Sequence, residues 1–397
     1  MSSKVELAMS KVRPEDLKAC QDSMRKGSKS FYLASALLPA SVRPAITIYY
    51  AWCRSMDDAI DEAKDIETAK NNLKAEEKRL DDIFSKDPET FTDPVDRAFS
   101  TLVQTADLPK SYAVHLWEGN LWDCEGRRYE TLDDLMQYCE RVASSVGWMS
   151  SALMGAPKDS FEYAGQLGAA MQLTNIARDV GEDARKGKIY LPLSWLREER
   201  ITEEELTSNL VFTPQIGRVV SRLLREADRH YEESKKGIWM LPKSCQLAIL
   251  SASHIYRQIK DSIIQNHYDT ITTRAYTSLY YKLYLVLWSS CEVYGPPLSW
   301  LTRYLPFSSS PPKRNATICA QSCEEAAEYS NILTDLRVVP GISSGSDLDL
   351  NFRRLGAHLI NSLALRGWGR WRRPTMSLGI LTISYGISWT VHQMPLL

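Results

Sequence analysis

The 397-residue chain lacks most of the patterns by which a sequence announces its chemistry. It has almost no net charge, −1, which removes the electrostatic case for nucleic-acid binding. Its eight cysteines are scattered, with no zinc-ribbon spacing, and the chain is too long to need a disulfide scaffold. Reduced thiols in a cytosolic or plastid-stromal compartment are therefore expected. The six histidines form no ligand-spaced pair. No glycine-rich phosphate loop or dinucleotide fingerprint is present, so no nucleotide cofactor is expected. β-Alternation and Asn-Gly hairpins are missing. The N-terminus has no apolar run long enough for a secretory signal, and its Glu6, Glu15, Asp16 and Asp22 argue against a transit peptide.

What is present is helical periodicity over an ordinary hydrophobic content of 44%. Thr47, Tyr50, Arg54, Asp57 and Asp61 recur at spacings of three and four, forming one stripe that runs from neutral to basic to acidic. Ser28, Phe31 and Ser35 form a second stripe. Thr202 followed by Glu205 reads as a capping box. Thr213-Pro214 opens a helix with Ile216, Val219, Val220, Leu223, Leu224, Ala227 and Tyr231 on its core face. The fold class is all-α. Residues 1–13 read as a flexible N-terminus, 14–304 as one catalytic domain, and 305–397 as linker and C-terminal extension. In that extension Arg366-Gly-Trp-Gly-Arg-Trp-Arg-Arg373 precedes an apolar tail from Met376 to Leu397 without Asp, Glu, Lys or Arg. A basic-aromatic flank before such a tail suits peripheral membrane contact.

Two acidic motifs mirror each other: Asp57-Asp-Ala-Ile-Asp61 and Asp179-Val-Gly-Glu-Asp183. Each puts two aspartates at i and i+4, on one helix face, where like charges repel unless a cation bridges them. Two such pairs in apolar helices suggest a cavity in which opposed carboxylates bind a hard divalent ion. Mg²⁺ takes one or two carboxylates, waters and phosphate oxygens. Bases stand beside both motifs: Lys29 and Arg54 at the first, Arg178, Arg185, Lys186 and Lys188 at the second. Metal and arginines together would stabilise a departing diphosphate.

These motifs and their flanks resemble the squalene/phytoene synthase family, most of all its bacterial phytoene-forming members. Gly27-Ser-Lys-Ser-Phe31 resembles the family's N-terminal signature. Tyr50-Ala-Trp-Cys-Arg-Ser-Met-Asp-Asp-Ala-Ile-Asp61 resembles its first aspartate-rich motif, and Gln172 to Pro192 its second. Tyr138 falls on the family's active-site tyrosine, and the segments at Tyr256 and Arg274 resemble late phosphate-binding segments. The resemblance implies a single-domain isoprenoid-synthase-type helical bundle around a central cavity. It implies that Asp57, Asp61, Asp179 and Asp183 hold Mg²⁺, with Mn²⁺ as a substitute, on two prenyl diphosphates. Lys29, Arg54, Arg178, Tyr256 and Arg274 would meet the phosphates, and Ser30 would bind substrate. Phe31, Ser35, Thr47, Tyr50, Gln172 and Asn175 would line the cavity. The implied reaction joins two geranylgeranyl diphosphates head to head through prephytoene diphosphate to phytoene, with Tyr138 or released diphosphate taking a proton. Downstream carotenoid enzymes are implied as partners.

Two positions depart from the family pattern. Ser144 stands where relatives carry glycine, and Gly27 where some carry histidine. Three other readings compete: a squalene or dehydrosqualene synthase acting on farnesyl diphosphate, an ordinary terpene cyclase, and a non-catalytic assembly factor. Ser35 and Thr47 are small at the expected deep end, which favours the longer geranylgeranyl chain. All four acidic ligands are kept, which disfavours the assembly factor.

Overall fold

A computed structural model describes residues 3–61 and 65–294; the side chains at 29, 30, 33, 60, 61 and 66 and everything from 295 onward lie outside the described residues. The linker and extension expected at 305–397 therefore lie outside them too. The described residues contain helices and no strand.

The N-terminus departs from expectation. Residues 3–11, read as flexible, form α1 (Ser3–Lys11). Val5 and Ala8, one turn apart, are 1% and 0% exposed and join an apolar cluster to which Met9 and Val12 add. This stripe is short and interrupted by Lys4, Glu6 and Lys11, so it carries little signal before packing is known.

The first half of the bundle comprises α2 (Pro14–Gly27), α3 (Lys29–Ser35), α4 (Arg43–Asp61), α5 (Ile66–Ser85), α6 (Pro94–Ala106) and α7 (Lys110–Cys124). Ala45, Ile48, Tyr49, Trp52 and Met56 of α4 recur at helical spacing and are buried. Trp52 stacks on Phe99 of α6 with centroids 4.4 Å apart, and Tyr49 packs on the same ring at 5.9 Å. These large aromatic contacts fix the rotation of α4. Its remaining face, Tyr50, Arg54 and Asp57, is thereby turned away from the core.

The second half comprises α8 (Leu132–Cys139), a π-helical turn over Glu140–Ser144, α9 (Ser145–Met154), α10 (Phe161–Arg185), α11 (Leu193–Glu198), α12 (Glu203–Thr207), α13 (Pro214–Met240), α14 (Lys243–Arg257), α15 (Ile259–Gln265) and α16 (Leu279–Tyr294). The capping box at Thr202 and Glu205 opens α12, and Thr213 caps α13 with Pro214 in its first turn. All seven residues expected on the core face of α13 are buried there. They pack with α10, whose buried face is Ala169, Ala170, Leu173, Ile176, Ala177 and Val180.

Small residues let α10 approach its neighbours. A Cβ at Gly168 would lie 2.4 Å from the Ala143 carbonyl oxygen, so only glycine fits beside the π-turn. Ser144 is accommodated because its Oγ donates to the Gly165 carbonyl at 2.8 Å, on another glycine of α10. The π-turn begins two residues after Tyr138, and such turns recur at functional sites.

Candidate active site

The second acidic motif lies near the end of α10, and its charges are already partly neutralised. Arg178 donates from Nε to Asp179 Oδ1 at 2.8 Å and from a terminal nitrogen to Oδ2 at 2.5 Å. Arg274, from the loop before α16, donates to the same two oxygens at 2.8 and 3.2 Å. Burial raises the Asp179 pKa, but the hydrogen bonds from the two guanidiniums win and hold it below the usual carboxylate range. Asp183 has the opposite fate. Burial, then Asp179 and, more weakly, Asp123 and Glu182 push it up to about 7, with Lys188 opposing. One carboxylate of the pair is clamped by two guanidiniums, while the other is pushed up chiefly by burial. Arg274 also reaches Glu182, at 3.5 Å.

A glycine makes this clamp possible. Gly181 donates its N–H to the Thr270 carbonyl at 3.1 Å, and a Cβ there would lie 2.7 Å from the Ile271 backbone. Arg185 donates to the Ile271 carbonyl at 2.6 Å. The loop is shaped by Asp269, whose side chain accepts from the N–H groups of Ile271 and Thr272 at 3.0 and 2.9 Å. Sequence, turn and close approach together bring Arg274 to Asp179. Arg178, Arg274 and Lys282 line a cavity of about 350 Å³ with Ile255, Ile259 and Tyr276.

The first motif is held differently. Arg54 pairs with Asp58 one turn on, while Asn120 of α7 donates to Asp57 Oδ1 at 3.3 Å. Asp57 is half-buried, and the side chain of Asp61 lies outside the described residues, as do those of Lys29 and Ser30. Below the motif, Asn72 of α5 donates to the Ala59 carbonyl at 2.6 Å and Arg79 donates to Ser55 Oγ at 2.8 Å. These contacts anchor the acidic end of α4.

Aromatic side chains bridge the two motifs. Phe31 lies 5.8 Å from Tyr50 and 5.5 Å from Tyr256, centroid to centroid. Burial, with Tyr256 and Asp57 nearby, pushes Tyr50 up to about 12 although Arg54 opposes it. Burial raises Tyr256 as well, against Arg178. The Gly27 departure has a steric reason: a Cβ there would sit 2.6 Å from Tyr50 Oη. On α10, Gln172 is half-buried and Asn175 presents a buried Oδ1 that accepts no hydrogen bond. Asn175, Asp179 and Asp183 follow one another at i, i+4 and i+8, on one face.

Ser35 and Thr47, expected at the deep end, are 7% and 4% exposed and converge on one atom. Their hydroxyls lie 3.4 and 4.0 Å from Met24 Sδ, and each is also satisfied by a carbonyl of its own segment, Tyr32 or Arg43. Met24 of α2 lies between the Ser35 and Thr47 ends of the two stripes.

Tyr138 is buried and donates to Asp123 Oδ2 at 2.9 Å; Tyr190 donates to Oδ1 at 2.8 Å. Burial and then the Asp123 charge push the Tyr138 phenol well above its ordinary range. Asp123, Asn120 and Tyr190 were not singled out from sequence. Asn120 and Asp123 stand at i and i+3 on α7, and this spacing next to a tryptophan-rich helix is the only signal they offered.

The chain is similar to known proteins over this same region. The family model described as squalene/phytoene synthase matches residues 24–281. The phytoene synthase of Cereibacter sphaeroides is 43% identical over 276 residues, 68% of this chain and 77% of that protein. That of Rhodobacter capsulatus is 42% identical over 273 residues, covering 68% and 80%. Among solved structures, a dehydrosqualene synthase in complex with ligand superposes with a TM-score of 0.63 at 31% identity, covering 71% of this chain and 98% of that one. A squalene synthase from Alicyclobacillus acidocaldarius gives 0.58 at 25% identity, covering 66% and 98%. The chain belongs to the squalene/phytoene synthase family, and its bundle is the fold of those synthases.

Proposed function

We propose that the protein condenses two molecules of geranylgeranyl diphosphate head to head to phytoene, releasing two diphosphates, in carotenoid biosynthesis. The observation that carries this reading is the second motif: two guanidiniums gathered on Asp179, one turn before Asp183, in a chain 43% identical to a phytoene synthase.

The donor set supports Mg²⁺ as the cofactor. The side chains offered are hard oxygens, the preference of that ion. Asn175 Oδ1 is buried without a partner, and burial, with Asp179 one turn away, pushes Asp183 up to about 7. Among the described residues no three Asp, Glu, His or Cys side chains form a ready-made metal cage. That suits an ion that keeps waters and takes phosphate oxygens as ligands. Asn175, Asp179 and Asp183 would hold it on one side, and Asp57 with Asp61 on the other. When bound it supplies Lewis-acid stabilisation of the leaving diphosphate.

The chain's own residues do the rest. Arg178 and Arg274 can swing from Asp179 to an arriving diphosphate, which frees the carboxylate and clamps the leaving group. The first ionisation gives an allylic cation, which the second molecule's double bond attacks; loss of a proton from C1 of the ionised unit then closes the cyclopropane of prephytoene diphosphate. Phe31, Tyr50 and Tyr256 offer ring faces and exclude water. A second ionisation, rearrangement and proton loss give the hydrocarbon.

The apolar product supports membrane contact and transfer to downstream carotenoid enzymes. Among the described residues no helix is long and apolar enough to cross a membrane. Contact would fall to the basic-aromatic segment and apolar tail beyond residue 305.

The likeness to dehydrosqualene synthase favours one alternative, the same chemistry on farnesyl diphosphate. Incubation of purified protein with Mg²⁺ and either prenyl diphosphate, with the hydrocarbon identified by mass spectrometry, separates the two. Phytoene from geranylgeranyl diphosphate is expected. A product from farnesyl diphosphate alone overturns the substrate, and no hydrocarbon from either overturns the function.

A further inference from the structure

Asp123, at the end of α7, is the hub of a buried polar cluster drawn from three separate segments. Tyr138 of α8 and Tyr190 of the loop after α10 each donate to one of its oxygens, and Lys188 Nζ lies 3.9 Å from Oδ2. The rings of Tyr138 and Tyr190 stack 5.1 Å apart, and Tyr129 packs 5.3 Å from Tyr138. Removing a carboxylate from water is costly unless donors satisfy it, and here two hydroxyls and an ammonium do so. Three elements thus converge to keep one anion against one phenol, beside Asp183.

The proposed reaction takes two protons from carbon, one as the cyclopropane closes and one in the last step, which gives the hydrocarbon. Tyr138 carries its own proton, held by burial and by Asp123. A neutral phenol removes a proton from carbon only if its own proton departs in the same step. Asp123 is the group placed to receive it, 2.9 Å away.

We propose that Tyr138 and Asp123 form a two-member proton relay for the last step. The C–H bond of the carbocation breaks, and its electron pair becomes the new carbon–carbon bond. That proton forms a bond to Tyr138 Oη as the phenol's original proton passes to Asp123 Oδ2. The carbocation and the carboxylate are consumed together, leaving a neutral hydrocarbon skeleton and a neutral carboxylic acid. Tyr190 and Lys188 position Asp123, whose side chain is 15% exposed and returns the proton to water afterwards. Asp123 acts through Tyr138 and is a positioning and proton-accepting residue.

This inference rests on the proposed condensation, and the test separates the two. Full-length wild-type, Asp123→Asn, Asp123→Glu and Tyr138→Phe proteins are incubated with Mg²⁺ and geranylgeranyl diphosphate. Diphosphate release, hydrocarbon and prenyl alcohol are measured, and folding is checked by circular dichroism and thermal unfolding. Asp123→Asn keeps the size and one acceptor but is a far weaker proton acceptor. It should continue to release diphosphate near the wild-type rate while hydrocarbon falls about a hundredfold, the scale of a lost general base. Water-trapped alcohol should replace the hydrocarbon. Tyr138→Phe should uncouple in the same way, which keeps the test open if the asparagine variant misfolds. Asp123→Glu should restore part of the hydrocarbon. An unchanged ratio of hydrocarbon to diphosphate, or a parallel fall of both in folded protein, overturns the relay. Absence of hydrocarbon from the wild type overturns the condensation itself.

Discussion

Asp57 and Asp179 each begin an Asp-x-x-x-Asp run on a long helix, yet the two sites are held by different means. Around Asp179 four side-chain hydrogen bonds converge from Arg178 and Arg274, and a loop is pressed onto Gly181. Around the first motif Arg54 pairs with Asp58, and Asn120 donates to Asp57 Oδ1 at 3.3 Å. The scaffold of the first motif lies beneath it, in Asn72 and Arg79 acting on backbone and Ser55. Identical spacing therefore occurs in two different surroundings. The second motif has two guanidiniums gathered on its first aspartate, whereas the helix end that carries the first is anchored from below by α5. In a site for two diphosphates, this difference predicts that the motifs respond unequally to substitution.

The largest contrast should come from Asp179→Asn. The change keeps the shape and removes the charge, so turnover should fall at least about a hundredfold. It also releases two guanidiniums from their carboxylate. Inorganic diphosphate should then bind with less dependence on Mg²⁺ than in the wild type, as read by calorimetry with and without the ion. Asp57→Asn should lose activity without that gain. Equal diphosphate binding in both variants would break the comparison.

Gly181→Ala sharpens it without touching a carboxylate. The added methyl would meet Ile271 at 2.7 Å, so the loop carrying Arg274 must shift. Misplacement by 1 Å can cost about a hundredfold, and a partial shift should cost roughly tenfold in kcat/KM. The overpacked contact should lower stability by about 1–3 kcal/mol, measured by denaturant unfolding. Wild-type kinetics would mean that Arg274 is not positioned through this glycine.

Much of this arrangement was legible before the fold was known. The all-α class followed from periodicity, and Thr202, Glu205, Thr213 and Pro214 marked helix starts that the structure retains, because caps act locally. The face of α13 was legible because one packed surface imposes one stripe. Asn120 and Asp123 were not, since α7 carries apolar residues around its whole circumference and its polar contacts depend on α4, α8 and the loop at Tyr190. Gly181 carries no local signal. Its role needs the 269–275 loop, some 90 residues later, whose approach no local pattern encodes. Helix α1 was missed for want of a long stripe.

On the side of the first motif, Ser35→Phe tests the chain-length reading. Ser35 is buried against Met24 and Thr47, so a phenyl ring must displace Met24 or enter space used by the prenyl tail. A flexible methionine can give way in part. The ratio of rates on geranylgeranyl and farnesyl diphosphate should fall about tenfold, the scale at which pocket bulk discriminates. Circular dichroism confirms folding. An unchanged ratio would show that Met24 absorbs the ring and that this end does not set chain length.

The smallest effect is expected from Asn120→Ala. Asn120 is 7% exposed and divides its amide between Asp57, at 3.3 Å, and the Leu116 carbonyl of its own helix, at 3.2 Å. A bond that long to a carboxylate stands at the weak end of its class, about 1 kcal/mol, which corresponds to roughly a fivefold change. Its loss should leave Asp57 in place, because α4 is fixed by Trp52 and Tyr49 on Phe99 rather than by this contact. The expected result is a decrease in kcat/KM of roughly fivefold, with a moderately higher Mg²⁺ requirement and little change in melting temperature. If Asn120→Ala instead costs as much as Gly181→Ala, the first motif depends on α7 as strongly as the second depends on its loop. The two aspartate pairs would then depend equally on neighbouring segments to hold their geometry.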